Sequence, residues 1–433
     1  MTLRSFLGLT VAASLVTCST LANAAATASS TTIPGGRYGN VTVTQPVGPL
    51  RGFVVLYSQA SGWSSADQHS ADELAKAGAL TVGVDTARYA ANLASNVGAA
   101  PGQKKEACHQ LVGDAEALSH QLERQSQSSH YFAPIVAGTG QGATLAMHVL
   151  EQAPSNTIAG AVVVDAERTL DPRFQPCPPD ATIIRDKIPG FVEKATTGSA
   201  DRARLVALIT PRLQTVSTHD DDLSDLPLIE LPAARPNGLM AIVISGDGGW
   251  RDLDKTIAQA LQKDGVSVIG WDSLRYFWSE KPPAQTSRDL ARVMQTYSAR
   301  WHAEHIALIG YSFGADVMPF AYNRLPEALR AKVSLISLLG FAPDADFQIR
   351  VGGWLGMPAS DKALKVRPEL ARVPPHIVQC IYGENEEDTL CPALTKTGIE
   401  VIRTSGDHHF GGDYNALERR ILSAFKKQSG VHD

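Results

Sequence analysis

HIALIGYSFGADVMPF, residues 305–320, decides the fold. An apolar run ends in Gly310-Tyr311-Ser312-Phe313-Gly314, and ADVMPF continues with the apolar spacing of a buried helix. A strand that turns this sharply into a helix needs glycines beside the serine at its apex, because side chains there would meet neighbouring backbone. A second stretch, FAPIVAGTGQGATLAMHVL at 132–150, keeps the rhythm with Gly140 where the serine would stand.

The likeness extends upstream of both turns. YSQASGWSSADQHSADELAKAGALTVGVDTARY at 57–89 aligns without a gap to ISGDGGWRDLDKTIAQALQKDGVSVIGWDSLRY at 244–276. Ser58, Gly62, Trp63, Asp67, Gly78, Gly83, Asp85, Arg88 and Tyr89 all recur in the second copy. Each copy reads strand, glycine-rich loop, helix, strand, crossover, strand, sharp turn, helix. In the second copy the strands LMAIVIS, VSVIGW, HIALIGYS, KVSLISLLG and HIVQCIYG are apolar throughout, which predicts a mainly parallel sheet covered on both faces. The expected fold class is α/β: two tandem α/β-hydrolase-like domains with mainly parallel sheets, the first degenerate.

The totals agree with two domains. A chain of 433 residues exceeds one ordinary core, and 44% apolar with 19% charged residues describes a globular protein. A net charge of -5, from 39 basic and 44 acidic residues, leaves no footprint for nucleic acid. Arg4, the apolar FLGLTVAASLVT and Ala22-Asn23-Ala24 form a secretory signal with cleavage after Ala24. LVTC, ending at Cys18, only partly resembles a lipobox because of Thr17. No segment approaches the roughly 20 apolar residues of a membrane span. Cleavage leaves Cys108, Cys177, Cys380 and Cys391 in a chain bound for an oxidising compartment, and two per half favours the pairs Cys108–Cys177 and Cys380–Cys391. THDDDLSDLPLIELPAARPNG carries an acidic run and three prolines, so the expected division is signal peptide 1–24, degenerate domain 25–217, linker 218–237 and catalytic domain 238–433.

Ser312 is the expected nucleophile, and a serine needs a base that is itself oriented by a carboxylate. In this fold they follow in the order serine, acid, histidine. After HIVQCIYG comes ENEEDTLCP, in which Asp388, four residues before Pro392, is the preferred acid and Glu386 the fallback. IEVIRTSGDHHFGGDY supplies the base: the pattern Gly-x-x-His-Phe favours His409, with His408 the alternative. Two adjacent histidines rarely aim both rings at one ion, so no metal is expected and no cofactor is implied. The oxyanion donors should be the backbone N–H of Phe313 and the loop SGDGGW, through Gly246 or Asp247. The first copy serves as an internal control, with Gln59 and Ala60 in place of Gly246 and Asp247, Gly140 in place of Ser312, and no equivalent of ENEEDTLCP. Residues the copies share, among them Asp272, Arg275 and Tyr276, are therefore expected to hold loops rather than do chemistry.

SGDGGWRDLD, DSLRYFW, IGYSFGADVMPF, YGENEEDTLCP and GDHHFGGDY resemble the VirJ/AcvB proteins, exported α/β hydrolases named as bacterial virulence factors, and the two-domain layout is similar to AcvB. The resemblance implies a periplasmic serine hydrolase that cleaves aminoacyl-phosphatidylglycerol, notably lysyl-phosphatidylglycerol, at the membrane surface. It carries over Ser312, Asp388 and the His408/His409 pair. A cationic lysyl group would welcome carboxylates, for which Asp247 and Asp316 are candidates, and Phe277 and Trp278 of YFW are candidates for contact with lipid. Two rival functions remain: a generic periplasmic esterase, thioesterase or acyltransferase, and a non-catalytic factor supporting secretion or virulence complexes through a protein partner on the first domain.

Overall fold

The computed structural model describes residues 28–95, 107–154, 156–178, 188–199, 201–214, 223–350 and 360–431. The expected signal peptide, its cleavage site and Cys18 lie outside the described residues, as does the start of the expected linker.

In the first half, strands β1 (Ser30–Pro34), β2 (Asn40–Thr44), β3 (Gly52–Tyr57), β4 (Ala79–Val84), β5 (Ile135–Thr139), β6 (Gly160–Val164) and β7 (Phe191–Ala195) build one sheet. Its order is β1-β2-β4-β3-β5-β6-β7, parallel from β4 to β7, with β1 and β2 antiparallel at one edge. Helices α1 (Ser65–Lys76), α2 (Thr86–Ala94), α3 (Val112–Gln125), α4 (Gln141–Gln152) and α5 (Arg202–Ile209) fill the connections.

The second half repeats the plan with β8 (Leu228–Leu231), β9 (Leu239–Ile244), β10 (Ser267–Trp271), β11 (His305–Tyr311) and β12 (Val333–Leu339). A short ribbon, β13 (Asp344–Ala345) with β14 (Leu364–Lys365), precedes β15 (Val378–Gly383) and β16 (Glu400–Thr404). The sheet order is β16-β15-β12-β11-β9-β10-β8, parallel except for β8. Its helices are α6 (Asp252–Lys263), α7 (Ser273–Tyr276), α8 (Pro283–Arg300), α9 (Phe313–Asn323), α10 (Glu327–Arg330), α11 (Val366–Leu370) and α12 (Tyr414–Ser429). β9 is buried along its whole length, as a strand covered by helices on both faces must be.

One boundary differs from expectation. Leu228–Leu231, assigned to the linker, pairs antiparallel with β10 as the edge strand of the second sheet. Its apolar residues give this run a sheet to join, and β2 occupies the same place beside β4 in the first half. The second structural repeat therefore begins before residue 238.

The repeat holds at the level of single atoms. The Ser58 hydroxyl accepts from Thr86 N and the Ser245 hydroxyl accepts from Ser273 N, both at 3.0 Å. The carboxylates of Asp85 and Asp272 cap α2 and α7 by accepting from Arg88 N and Arg275 N. Tyr89 donates to Asp114 on α3, and Tyr276 donates to Asp289 on α8. Gly83 and Gly270 leave room for the rings of Trp63 and Trp250, which a Cβ would meet at 2.3 and 2.5 Å. The shared residues are thus structural. Cys108–Cys177 and Cys380–Cys391 are the disulfides, as the two-per-half split suggested. Among the described residues no helix is long and apolar enough to cross a membrane.

Candidate active site

The chain leaves β11 through Ser312, which sits at φ 50°, ψ -121° and caps α9. Such a backbone costs a non-glycine residue on the order of 1–3 kcal/mol and persists only where its surroundings enforce it. Here Ser312 N donates to Leu339 O at 2.8 Å, and the Ser312 carbonyl accepts from Ala315 N and Asp316 N. The flanking glycines are required by close approach: a Cβ on Gly314 would lie 2.2 Å from the Ile244 carbonyl oxygen, and one on Gly310 would lie 2.5 Å from that of Gly314. Gly140 in the first half adopts φ 57°, ψ -123° at the head of α4, so the elbow survives there without its nucleophile.

The histidine and carboxylate that the fold pairs in the cleft are not the preferred His409 and Asp388. His408, not His409, lines the cleft beside Ser312, and its Nδ1 lies 2.6 Å from Oε1 of Glu386, not from Asp388. Glu386 folds back after β15, its N–H donating to Gly383 O at 3.0 Å, which brings its side chain inward until only 6% of it is exposed. Asp388, two residues on, stays exposed on the rim of the same cleft. At the other loop, His409 N donates to the Asp407 carboxylate, and the exposed His409 ring lies 3.2 Å from the Tyr311 hydroxyl and edge-on to His408. Within the Gly-x-x-His-Phe pattern, Phe410 is the buried residue and His409 the exposed one.

Three neighbours hold the pair in place. Tyr311 donates to the His408 carbonyl at 3.3 Å and packs its ring 5.2 Å from the imidazole. Gly340, at φ +61°, leaves space where a Cβ would meet His408 Cε1 at 2.7 Å. The Cys380–Cys391 bridge closes the loop that carries Glu386 back onto β15. Sequence reasoning passed over Gly340, although a glycine ending the strand beside the nucleophile strand is a usable signal.

Phe313 begins α9, so its N–H is among the donors that a helix start leaves for an anion. Gly246 abuts the nucleophile: a Cβ there would lie 3.5 Å from Ser312 Cβ. The Gly246–Gly249 turn, closed by Gly249 N donating to Gly246 O, thus faces the serine from the side expected for an oxyanion loop, with Asp247 lining the cleft.

The cleft has a volume of about 430 Å³ and is acidic. Asp247, Asp316, Asp346, Glu386, Glu387, Asp388 and Asp407 line it, with Arg350 as the arginine among its lining residues. Asp316 is half-buried and accepts from Ala342 N at 2.8 Å. Burial, reinforced by the nearby carboxylates of Asp247 and Glu386, holds its pKa well above the usual carboxylate range. Burial of its carboxyl group raises the Asp247 pKa as well, although the residue as a whole is exposed. Asp346 and Arg350 belong to no motif, and nothing in the sequence marked them.

Phe277 and Trp278 are not in the cleft. Both are fully buried, Phe277 edge-on to Phe313 at 4.8 Å and Trp278 against Tyr131 of the first half at 4.9 Å. Their aromatic surface packs the protein rather than meeting lipid. Among the described residues no group of three or more His, Cys, Asp or Glu is arranged to hold a metal ion.

Residues 238–429 match the family model described as bacterial virulence protein (VirJ). No curated protein matches the sequence. Similar solved structures include Est1E from Butyrivibrio proteoclasticus with bound ferulic acid, at 14% identity over 48% of this chain and 98% of that one, TM-score 0.35. XC6422 from Xanthomonas campestris, an α/β serine hydrolase without a lid, is 15% identical over 47% and 95%, TM-score 0.31. A putative dienelactone hydrolase from Klebsiella pneumoniae is 14% identical over 48% and 99%, TM-score 0.33.

Proposed function

We propose that the VirJ-family domain, residues 238–429, is the catalytic unit of a periplasmic serine hydrolase that cleaves the aminoacyl ester of aminoacyl-phosphatidylglycerol, lysyl-phosphatidylglycerol above all. One observation carries the reading: a serine on a strained strand-to-helix turn shares an acidic cleft with a histidine bonded to a nearly buried glutamate.

The chemistry follows from these groups. Glu386 accepts the Nδ1 proton of His408, which leaves Nε2 as the basic nitrogen. Nε2 takes the Ser312 hydroxyl proton as the oxygen attacks the ester carbonyl. The Phe313 N–H and the Gly246–Asp247 loop meet the developing oxyanion. Collapse breaks the bond to the glycerol oxygen, which takes the proton from His408 and departs as phosphatidylglycerol. Water, deprotonated by His408, then attacks the aminoacyl-serine and releases the amino acid and free Ser312. The acidic lining of the cleft suits a substrate bearing one or two ammonium groups, whose charge on binding favours the ionised forms of Asp316 and Asp247, and Arg350 suits its phosphodiester. The expected secretory signal and the two disulfides favour an oxidising compartment outside the cytoplasm.

The test incubates the chain and its Ser312→Ala variant with bacterial phospholipid containing lysyl-phosphatidylglycerol, following lipids and free amino acids by mass spectrometry. Release of lysine with recovery of phosphatidylglycerol, dependent on Ser312, is the expected outcome. Cleavage of a small activated ester with every lipid left intact would remove the substrate from the proposal and keep the hydrolase.

A further inference from the structure

The first half has kept its fold and lost its nucleophile, and the contacts of α3 indicate what it does instead. Arg124, near the end of that helix, reaches into the second half. Its two terminal nitrogens donate to the carbonyls of Trp278 at 2.6 Å and Ile349 at 2.7 Å, while its guanidinium lies 3.9 Å from the centre of the Trp278 ring. These carbonyls belong to two segments already zipped together, Ile349 N donating to Phe277 O and Lys281 N to Phe347 O, both at 2.9 Å. The first segment carries Phe277, on which the ring of Phe313 rests. The second carries Gln348, Ile349 and Arg350, one wall of the cleft. About two turns of α3 before Arg124, Glu116 pairs with Arg251, whose Nε donates to Gly248 O at 2.6 Å in the turn that follows Gly246.

We infer that the first half is an intramolecular scaffold for the cleft of the second, with Arg124 as the positioning residue that fixes the Gln348–Arg350 wall. This rests on the hydrolase reading of that cleft. A planar guanidinium meets both carbonyls at once, which a lysine ammonium on a flexible stem does not reproduce. The Gln348–Arg350 wall supplies none of the Ser312, His408 and Glu386 side chains, so its displacement affects a substrate large enough to lie against it more than a small ester.

Full-length Arg124→Ala and Arg124→Lys are compared with the parent on lysyl-phosphatidylglycerol vesicles and on p-nitrophenyl acetate, alongside hydrogen exchange at the Ile349 amide. Arg202→Ala, which breaks an ion pair to Asp67 inside the first half at 2.7 Å, controls for general weakening of that half. For Arg124→Ala the expected result is a rise of about tenfold in KM for the lipid with kcat nearly kept, no more than about a twofold change on the small ester, and about tenfold faster exchange at Ile349. Arg124→Lys should fall between, and Arg202→Ala should leave the lipid KM unchanged. Unchanged lipid KM in Arg124→Ala, or equal losses on both substrates, would overturn the inference. If the parent cleaves neither substrate the hydrolase reading fails by itself, and exchange decides the scaffold: faster exchange at Ile349 upholds it, and unchanged exchange refutes it.

Discussion

Replacing Glu386 by glutamine separates the carboxylate that the structure pairs with His408 from the one the sequence favoured. Glu386 approaches His408 Nδ1 at 2.6 Å with a side chain 6% exposed, so when His408 takes the serine proton its new charge faces a carboxylate largely screened from water. Unit charges about 4 Å apart attract by about 4 kcal/mol at an effective dielectric of about 20. At about 1.36 kcal/mol per decade, that is about 10³-fold in rate. Glutamine also turns an amide N–H toward Nδ1 and so favours the tautomer that protonates the wrong nitrogen, which extends the loss toward about 10⁴-fold. Asp388→Asn alters an exposed rim carboxylate whose influence water screens, and should stay within about threefold on a small neutral ester. The assay is kcat on p-nitrophenyl acetate for both variants, with thermal melts to establish folding. A larger loss in Asp388→Asn than in Glu386→Gln would refute the assignment.

Three further outcomes follow from the same geometry. Gly340→Ala puts a Cβ 2.7 Å from His408 Cε1 on a backbone at φ +61°, so kcat should fall about tenfold or more, with a lowered Tm. Gly140→Ser in a Ser312→Ala background should leave activity at the level of Ser312→Ala alone, because the atoms nearest a Cβ at Gly140 belong to Gln59 and Glu167 and none to a histidine; ester hydrolysis above that level would contradict the degenerate reading of the first half. Asp316→Asn should be more stable than the parent at neutral pH while KM for lysyl-phosphatidylglycerol rises. Burial raises the folded pKa of Asp316, so from the ordinary carboxylate value near about 4 upward the folded state holds a proton the unfolded chain has lost, and its stability declines as pH rises through that window. Asparagine can still accept from Ala342 N without titrating, so Tm measured against pH should show its advantage growing from acid toward neutral.

The sequence carried the fold because the information there is local and repeated. Apolar strands, crowded glycines and the doubled Ser-Gly-Trp-Asp framework each reflect backbone packing that the two halves solve in the same way, down to the Asp85 and Asp272 caps. The nucleophile was legible for the same reason, since a turn through Ser312 imposes its glycines. Its partners were harder to read. Whether Glu386 or Asp388, and His408 or His409, turns inward depends on how two loops fold over β15 and β16, set by the Gly383–Glu386 turn, the vacancy at Gly340 and the burial of Phe410. Of these, only the glycine at 340 is a signal that residue type carries. Phe277 and Trp278 misled because an aromatic run at a strand end serves a lipid or a domain contact equally well, and only the position of Arg124 and Tyr131 tells which.

The most direct test of the central claim is covalent. A fluorophosphonate reacts with a serine only where a base activates it and an oxyanion site receives the phosphonyl oxygen, so the chain is treated with one and the adduct mapped by peptide mass spectrometry. The expected result is a single modified residue, Ser312, with labelling abolished in Ser312→Ala, slowed at least about 100-fold in His408→Ala and unchanged in His409→Ala. Labelling that persists without Ser312, or that depends on His409 rather than His408, would contradict it.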